Sequence, residues 1–170
     1  AKLLEGTDPV HKVTIIPRGR ALGLTMQLPE DDRHTYSRDY LEKTLAVLLG
    51  GRVAEMIVLN QLTTGAGNDI ERATGMARKM VTQWGMSEAI GPLALGDKQE
   101  EVFIGRDLAH YKDYSEETAR LVDAEVKRIV ENAQKTAEQL LTDNLDVLHA
   151  ISDALLERET ISGKDIDLLM

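Results

Sequence analysis

The stretch SEETARLVDAEVKRIVENAQKTAEQLL, Ser115 to Leu141, decides the fold class. Its apolar residues Val122, Val126, Ile129, Val130, Ala133, Ala137, Leu140 and Leu141 step by three and four. That interval places side chains on one face of an α-helix, so the spacing predicts the longest helix of the chain, opened by Ser115. Downstream, Asp143 is the predicted cap of a helix through Leu156, and Ser162 opens a short last one ending in Leu168, Leu169 and Met170. The two final longer helices are expected to form an antiparallel pair.

Upstream, the same period recurs twice. Ser37 is a predicted N-cap, and Tyr40, Leu41, Leu45, Leu48, Leu49 and Val53 trace a helical stripe that runs on to Val58. Gly50 and Gly51 fall inside it, and each costs a helix roughly 1 kcal/mol relative to alanine. A close approach of another backbone is the expected compensation, with a kink as the alternative. A second helix begins at Gly67 or Asn68 and runs to about Trp84, with Ile70, Ala73, Ala77, Met80, Val81 and Trp84 on one face. Gly85 is its expected stop. Between Ser87 and Tyr114 the pattern is mixed, and Gly91, Pro92, Gly96 and Gly105 read as punctuation of a surface excursion.

Only the N-terminal part reads as β-structure. Val10 to Ile16 is rich in β-branched residues and stops at Pro17. After the turn Arg18-Gly19-Arg20, the stretch Ala21 to Leu28 alternates Leu22, Leu24, Met26 and Leu28 with small or polar residues until Pro29. Alternation of period two marks a half-buried strand. With so few strands at least one sheet edge is unpaired, and such an edge can take up an extended peptide. The plain alternative is a hairpin packed on helices. The fold class is therefore mainly α with a small β element (α+β), as a single domain over residues 1–170.

Composition narrows the function classes. The formal charge is −9, and the basic residues are dispersed, which argues against a nucleic-acid surface. The pair Arg18 and Arg20 is too small a cluster to track phosphates. There is no cysteine, which excludes disulfides and thiolate metal sites. No apolar run approaches the roughly 20 residues that span a bilayer.

Chemistry-bearing residues are few. His11, His34, His110 and His149 are scattered, and none forms an HExxH pair. His149 is expected to be partly buried, His34 and His110 exposed, and His11 to bond backbone. Neither a nucleophile elbow nor a phosphate loop occurs. Gly65-Ala66-Gly67 precedes a helix as an anion-binding loop does, but Asp69 and Glu71 would repel an anion there, so a cation is the more sensible guest. Asp69 in the first helical turn has two readings: complement to the helix dipole, or ligand for something positive. Glu55 is either a solvent-facing residue or a group with work to do at a site.

Four segments together carry a resemblance. These are Asp8 to Gly23 (DPVHKVTIIPRGRALG), Gly50 to Glu55 (GGRVAE), Thr64 to Ile70 (TGAGNDI) and Met80 to Ser87 (MVTQWGMS). They are similar, in order, to the region following the zinc helix of FtsH-type proteases. The similarity continues through Glu117 to Arg120 and Leu140 to Asn144, so that it covers essentially the whole chain. The family consists of membrane-anchored, ATP-dependent zinc metalloproteases, a AAA+ ATPase module followed by a peptidase domain, assembled as hexamers.

The resemblance implies an FtsH-type peptidase domain acting on membrane and soluble protein substrates, with Zn2+ as cofactor. ATP and Mg2+ would belong to the ATPase module, and the membrane would be reached only through an N-terminal anchor. The implied location is the cytosolic face of a bacterial inner membrane or an organelle equivalent. Asp69 matches the third zinc ligand, and Glu55 matches a carboxylate that orients a ligating histidine. Leu22, Gly23, Leu24, Thr25, Met26 and Gln27 match the strand lining the substrate cleft. The HExxH helix, with two ligands and the general-base glutamate, is expected just upstream of Ala1. These 170 residues alone are therefore expected to be inactive. The rival expectation is a non-catalytic oligomerisation module.

Overall fold

The computed structural model describes residues 1–17, 23–28, 35–95 and 114–170. Three helices carry the main core: α1 (Arg38–Ala54), α2 (Gly67–Thr82) and α3 (Glu116–Asp143). Leu41, Leu45, Leu49 and Val53 of α1 meet Ala73, Ala77, Met80 and Val81 of α2. Val122, Val126, Ile129, Ala133 and Ala137 of α3 close the cluster. Alanines at four of these positions shorten the side-chain layer, so the helices approach closely around the larger Leu45, Leu49 and Met80. Ser37 and Ser115 cap α1 and α3 as expected, each accepting from the backbone N–H three residues on.

A second, smaller core joins the two ends of the chain. Strand β1 (Val10–Thr14) is central in a sheet of order β2-β1-β3, with β2 (Leu24–Gln27) and β3 (Thr160–Ser162) both antiparallel to it. Helix α4 (Leu145–Arg158) precedes β3, and α5 (Gly163–Leu169) follows it. Val10, Ala154, Ile161 and Ile166 are buried together, with Val13, Ile151, Leu155 and Leu169 packed around them. Ser162 and Asp165 form a reciprocal capping box at the start of α5. A Cβ on Gly163 would collide with the Val10 carbonyl oxygen, so this position requires glycine.

Several expectations are corrected. Both strands are shorter than their patterns: β1 ends at Thr14, and β2 begins at Leu24, while Ala21 and Leu22 lie outside the described residues, as do Arg18, Arg20, His34, Gly96, Gly105 and His110. β-structure is not confined to the N-terminal part, because β3 pairs with β1. Asp143 ends α3 and does not cap α4; Asn144 occupies the junction and its side chain bonds back to the Leu140 carbonyl. The last two longer helices do not pair along their lengths; Ile151, Ala154 and Leu155 of α4 pack instead with Val10, Val13, Ile161 and Ile166 of the sheet and α5. Trp84 lies beyond the end of α2 and is 45% exposed. His149 is exposed. Among the described residues nothing outside the helix's own backbone and the chain neighbours comes within 4 Å of a Cβ built on Gly50 or Gly51, and α1 runs through both, so neither a close approach by a described residue nor a break accounts for them.

One polar cluster is embedded between the helices and the segment after α2. Glu125 of α3, 8% exposed, accepts from Ser87 Oγ at 2.6 Å. It also takes both arms of Arg128, Nε at 2.8 Å and Nη2 at 2.9 Å. The guanidinium first, and the Ser87 hydroxyl second, hold the Glu125 carboxyl at about 2. Ser87 also accepts from the Ile90 N–H, so the clamp fixes residues 87–90 against α3.

Candidate functional site

The stripe of α1 does continue toward Val58, but not as α-helix. Glu55–Leu59 forms a π turn, and Asn60 then takes a left-handed conformation with φ 50° that ends it. Widened turns of this kind re-aim side chains and recur at functional sites. Glu55 stands at the first position and is half-buried. Its carboxylate does not simply face solvent. Thr63 Oγ1 donates to it at 2.9 Å, and the Thr63 N–H does so at 3.2 Å.

Thr63 in turn accepts from the Gly65 N–H at 3.1 Å and opens a short 3-10 turn, Thr64–Ala66. That turn runs directly into α2, so the chain from Glu55 to the start of α2 is one hydrogen-bonded unit. A Cβ on Gly65 would lie 3.2 Å from Thr63 Oγ1 and 3.6 Å from Glu55 Oε1, which keeps this corner tight. Among the described residues no atom outside the helix's own backbone and the chain neighbours lies within 4 Å of a Cβ on Gly67. The loop is thus braced by a carboxylate and a hydroxyl rather than left loose by its glycines.

Asp69 sits in the first turn of α2, where the helix dipole favours a carboxylate. Its side chain is 44% exposed, and its ion pair is with Arg72, one turn on, at 3.7 Å. At that length and exposure the pair is weak. Asp69 therefore presents an oxygen donor at the surface without a strong competing partner. Among the described residues no group of three or more metal-binding side chains occurs.

The sheet offers a different capability. Gln27 Nε2 donates to the Asp8 carbonyl at 2.9 Å, and the Tyr40 hydroxyl donates to Asp8 Oδ2 at 2.9 Å, so one end of β2 is tied to α1. No described strand pairs with the far side of β2. The ladder alternation identifies which groups face that open side. Ile15 N–H bonds to the Glu159 carbonyl, so Ile15 and, two residues earlier, Val13 direct their backbone groups at the β3 side. Lys12 and Thr14 then bond to Met26 and Leu24, which leaves the N–H and C=O of Thr25 directed at the open edge. Ile15, Ile16, Leu24 and Leu28 form an apolar fringe near it, each between 38% and 48% exposed. Of the residues matched to the substrate strand, Gly23, Leu24, Thr25, Met26 and Gln27 are on or beside this edge. Hydrogen bonds tie Glu55 to the loop leading to Asp69, whereas β2 is tied to β1 and Asp8.

Sequence reasoning missed Thr63. The only signal was a hydroxyl residue ahead of Gly65, and its partner Glu55 is fixed by a π turn that no periodicity reveals. The class so defined is a mainly helical domain with a braced carboxylate at Glu55, a half-exposed carboxylate at the start of α2, and a sheet edge that no described strand covers.

Comparison with known proteins gives that class a family. Peptidase family M41 matches residues 1–169, and the chain belongs to that family. The chain is 60% identical over all 170 residues to an ATP-dependent zinc metalloprotease FtsH of Magnetococcus marinus, covering 25% of that protein. It is 58% identical over its full length to an ATP-dependent zinc metalloprotease FtsH of Acidobacterium capsulatum, covering 26% of it. An ATP-dependent zinc metalloprotease FtsH 1 of a Thermoanaerobacter species is 56% identical over 167 residues, which is 98% of this chain and 27% of the relative. The chain thus spans about a quarter of the length of the curated relatives it matches. No helix among the described residues is long and apolar enough to cross a membrane.

Proposed function

We propose that this chain is the peptidase portion of an ATP-dependent zinc metalloendopeptidase that degrades proteins. The observation that carries the reading is Asp69. An exposed carboxylate stands on a hydrogen-bonded corner, without a strong partner, in a chain closely similar to proteins named zinc metalloproteases. An aspartate oxygen suits zinc, but a catalytic zinc needs three protein ligands. The described residues do not complete such a set. The two remaining ligands and the general base are assigned to an HExxH helix, a motif that these 170 residues do not contain.

Zinc, when bound, activates water and polarises a carbonyl. The work of this chain's own residues is positional. Asp69 holds an oxygen donor at the start of α2, and Thr63 braces the corner below it. Glu55, tied to Thr63, retains acceptor capacity through which it orients a ligating imidazole. The open edge of β2 takes substrate backbone as an added strand, and the apolar fringe of Ile15, Ile16, Leu24 and Leu28 receives side chains of unfolded protein. A single peptidase domain over residues 1–170 is part of the same reading. So are a hexameric ring, an ATPase module using ATP and Mg2+, and a membrane anchor that places the parent at the cytosolic face.

The test is a fluorogenic-peptide assay of two forms, this chain alone and a chain extended to include the upstream helix. Zinc-dependent turnover is expected only from the extended form. Zinc-dependent turnover by the 170 residues alone would refute the assignment of ligands and base to that helix.

A further inference from the structure

We propose that Thr14, together with the turn at Glu159 and Thr160, positions the open β2 edge for substrate. The far end of the chain would thereby control how tightly unfolded polypeptide is held. This rests on the reading of β2 as the substrate edge and adds to it a residue that does not touch substrate.

The geometry is a hydrogen-bond knot at the exit of β1. Thr14 is 6% exposed. Its hydroxyl donates to the Glu159 carbonyl at 3.0 Å, accepts from the Thr160 hydroxyl at 2.8 Å, and accepts from the Ile16 N–H at 3.2 Å. One donor and two lone pairs are all a hydroxyl has, so every capacity of this group is used. The Ile15 N–H also bonds the Glu159 carbonyl, at 3.0 Å. Glu159 adopts φ 59°, a left-handed conformation that a glutamate holds only when its surroundings impose it. It ends α4 and turns the chain into β3.

The same residue meets β2 from the other side. Thr14 is the cross-strand partner of Leu24, the first residue of β2. A Cβ on Gly23 would lie 2.8 Å from the Thr14 carbonyl oxygen, so the chain entering β2 lies flush against Thr14. Thr14 therefore sets two things at once: the path of the exposed Ile15 and Ile16, and the height at which Leu24 and Thr25 enter the sheet. A valine here keeps the shape but removes all three hydroxyl bonds. The Ile16 N–H and the Thr160 hydroxyl then lose their partner, and the β1 exit is free to shift relative to β2.

The experiment uses the full-length parent with its ATPase module and zinc in place, degrading a fluorescently labelled, permanently unfolded polypeptide. Thr14→Val is expected to raise KM on the order of tenfold with kcat and zinc content unchanged. Thr14→Ser, which keeps the hydroxyl, is expected to restore the wild-type KM. Thr160→Val, a milder change at an exposed position, is expected to raise KM by about threefold, and it tests the knot if Thr14→Val does not fold. Thr25→Pro removes an outward N–H without breaking a bond to β1, and it tests the edge itself. If Thr25→Pro raises KM while Thr14→Val and Thr160→Val leave it unchanged, the knot is only structural and the proposal fails. If Thr25→Pro also leaves KM unchanged, the substrate-edge reading fails and takes the proposal with it. Equal losses in kcat and zinc content across the Thr14 variants would likewise overturn a positioning role.

Discussion

Glu125→Gln is the substitution whose consequence can be worked most fully from the structure. The Glu125 carboxyl is held at about 2 against an ordinary 4.5, first by the bidentate bond from Arg128 and then by Ser87. Because the folded value lies below the unfolded one, the ionised form stabilises the fold. That contribution is complete above about pH 4.5 and is lost as pH falls toward about 2. The difference corresponds to about 3 kcal/mol at neutral pH, and partial solvation of the Arg128 side chain, 44% exposed, trims the observable effect to about 2–3 kcal/mol. For a chain of this size that is a fall in Tm of about 5–10 °C. Urea denaturation of both forms, stepped from about pH 7 to about pH 2.5, is the assay. The gap between them should be full at neutral pH and close progressively below about pH 4.5. A gap that stays constant across the acid range, or one of less than about 0.5 kcal/mol at pH 7, would refute the reasoning.

Three further outcomes follow from single sites. Gly163→Ala forces a Cβ into the Val10 carbonyl and should cost about 1–3 kcal/mol, read as a lowered urea midpoint. Gly51→Ala meets open space in mid-helix and should stabilise the chain by about 0.5–1 kcal/mol; a loss of stability would mean that the helix carries a contact at that point. Thr63→Val removes the hydroxyl shared by Glu55 and Gly65, so hydrogen exchange at the Gly65 amide should accelerate, and stability should fall by about 1 kcal/mol. Unchanged exchange would show that the corner is held by other contacts.

The helices were legible because their information is local. Val122, Val126 and Ile129 announce α3 by spacing alone, and Ser37, Ser115 and Ser162 cap helices at the positions where the pattern begins. β3 was not legible. It is three residues long, too short for any period, and exists because β1, at the opposite end of the chain, supplies its partners. The Ser87–Glu125 bond spans 38 residues and was invisible for the same reason. Asp143 is the last residue of α3, and Asn144 takes the junction because its side chain bonds back to the Leu140 carbonyl, a contact that spacing alone does not reveal. At the candidate site, the helix start at Asp69 could be read from the residues, but the proposal that it is a ligand came only from the resemblance. The brace from Thr63 to Glu55 was not legible, since it depends on a π turn and a left-handed Asn60.

The central claim is that Asp69 supplies a ligand to zinc. The most direct measurement is the zinc content, by atomic emission after exhaustive dialysis, of the parent-length protein and its Asp69→Ala variant. About one zinc per chain is expected in the wild type, with most of it lost in the variant and folding unchanged by circular dichroism. Full zinc retention by a folded Asp69→Ala protein would contradict the assignment.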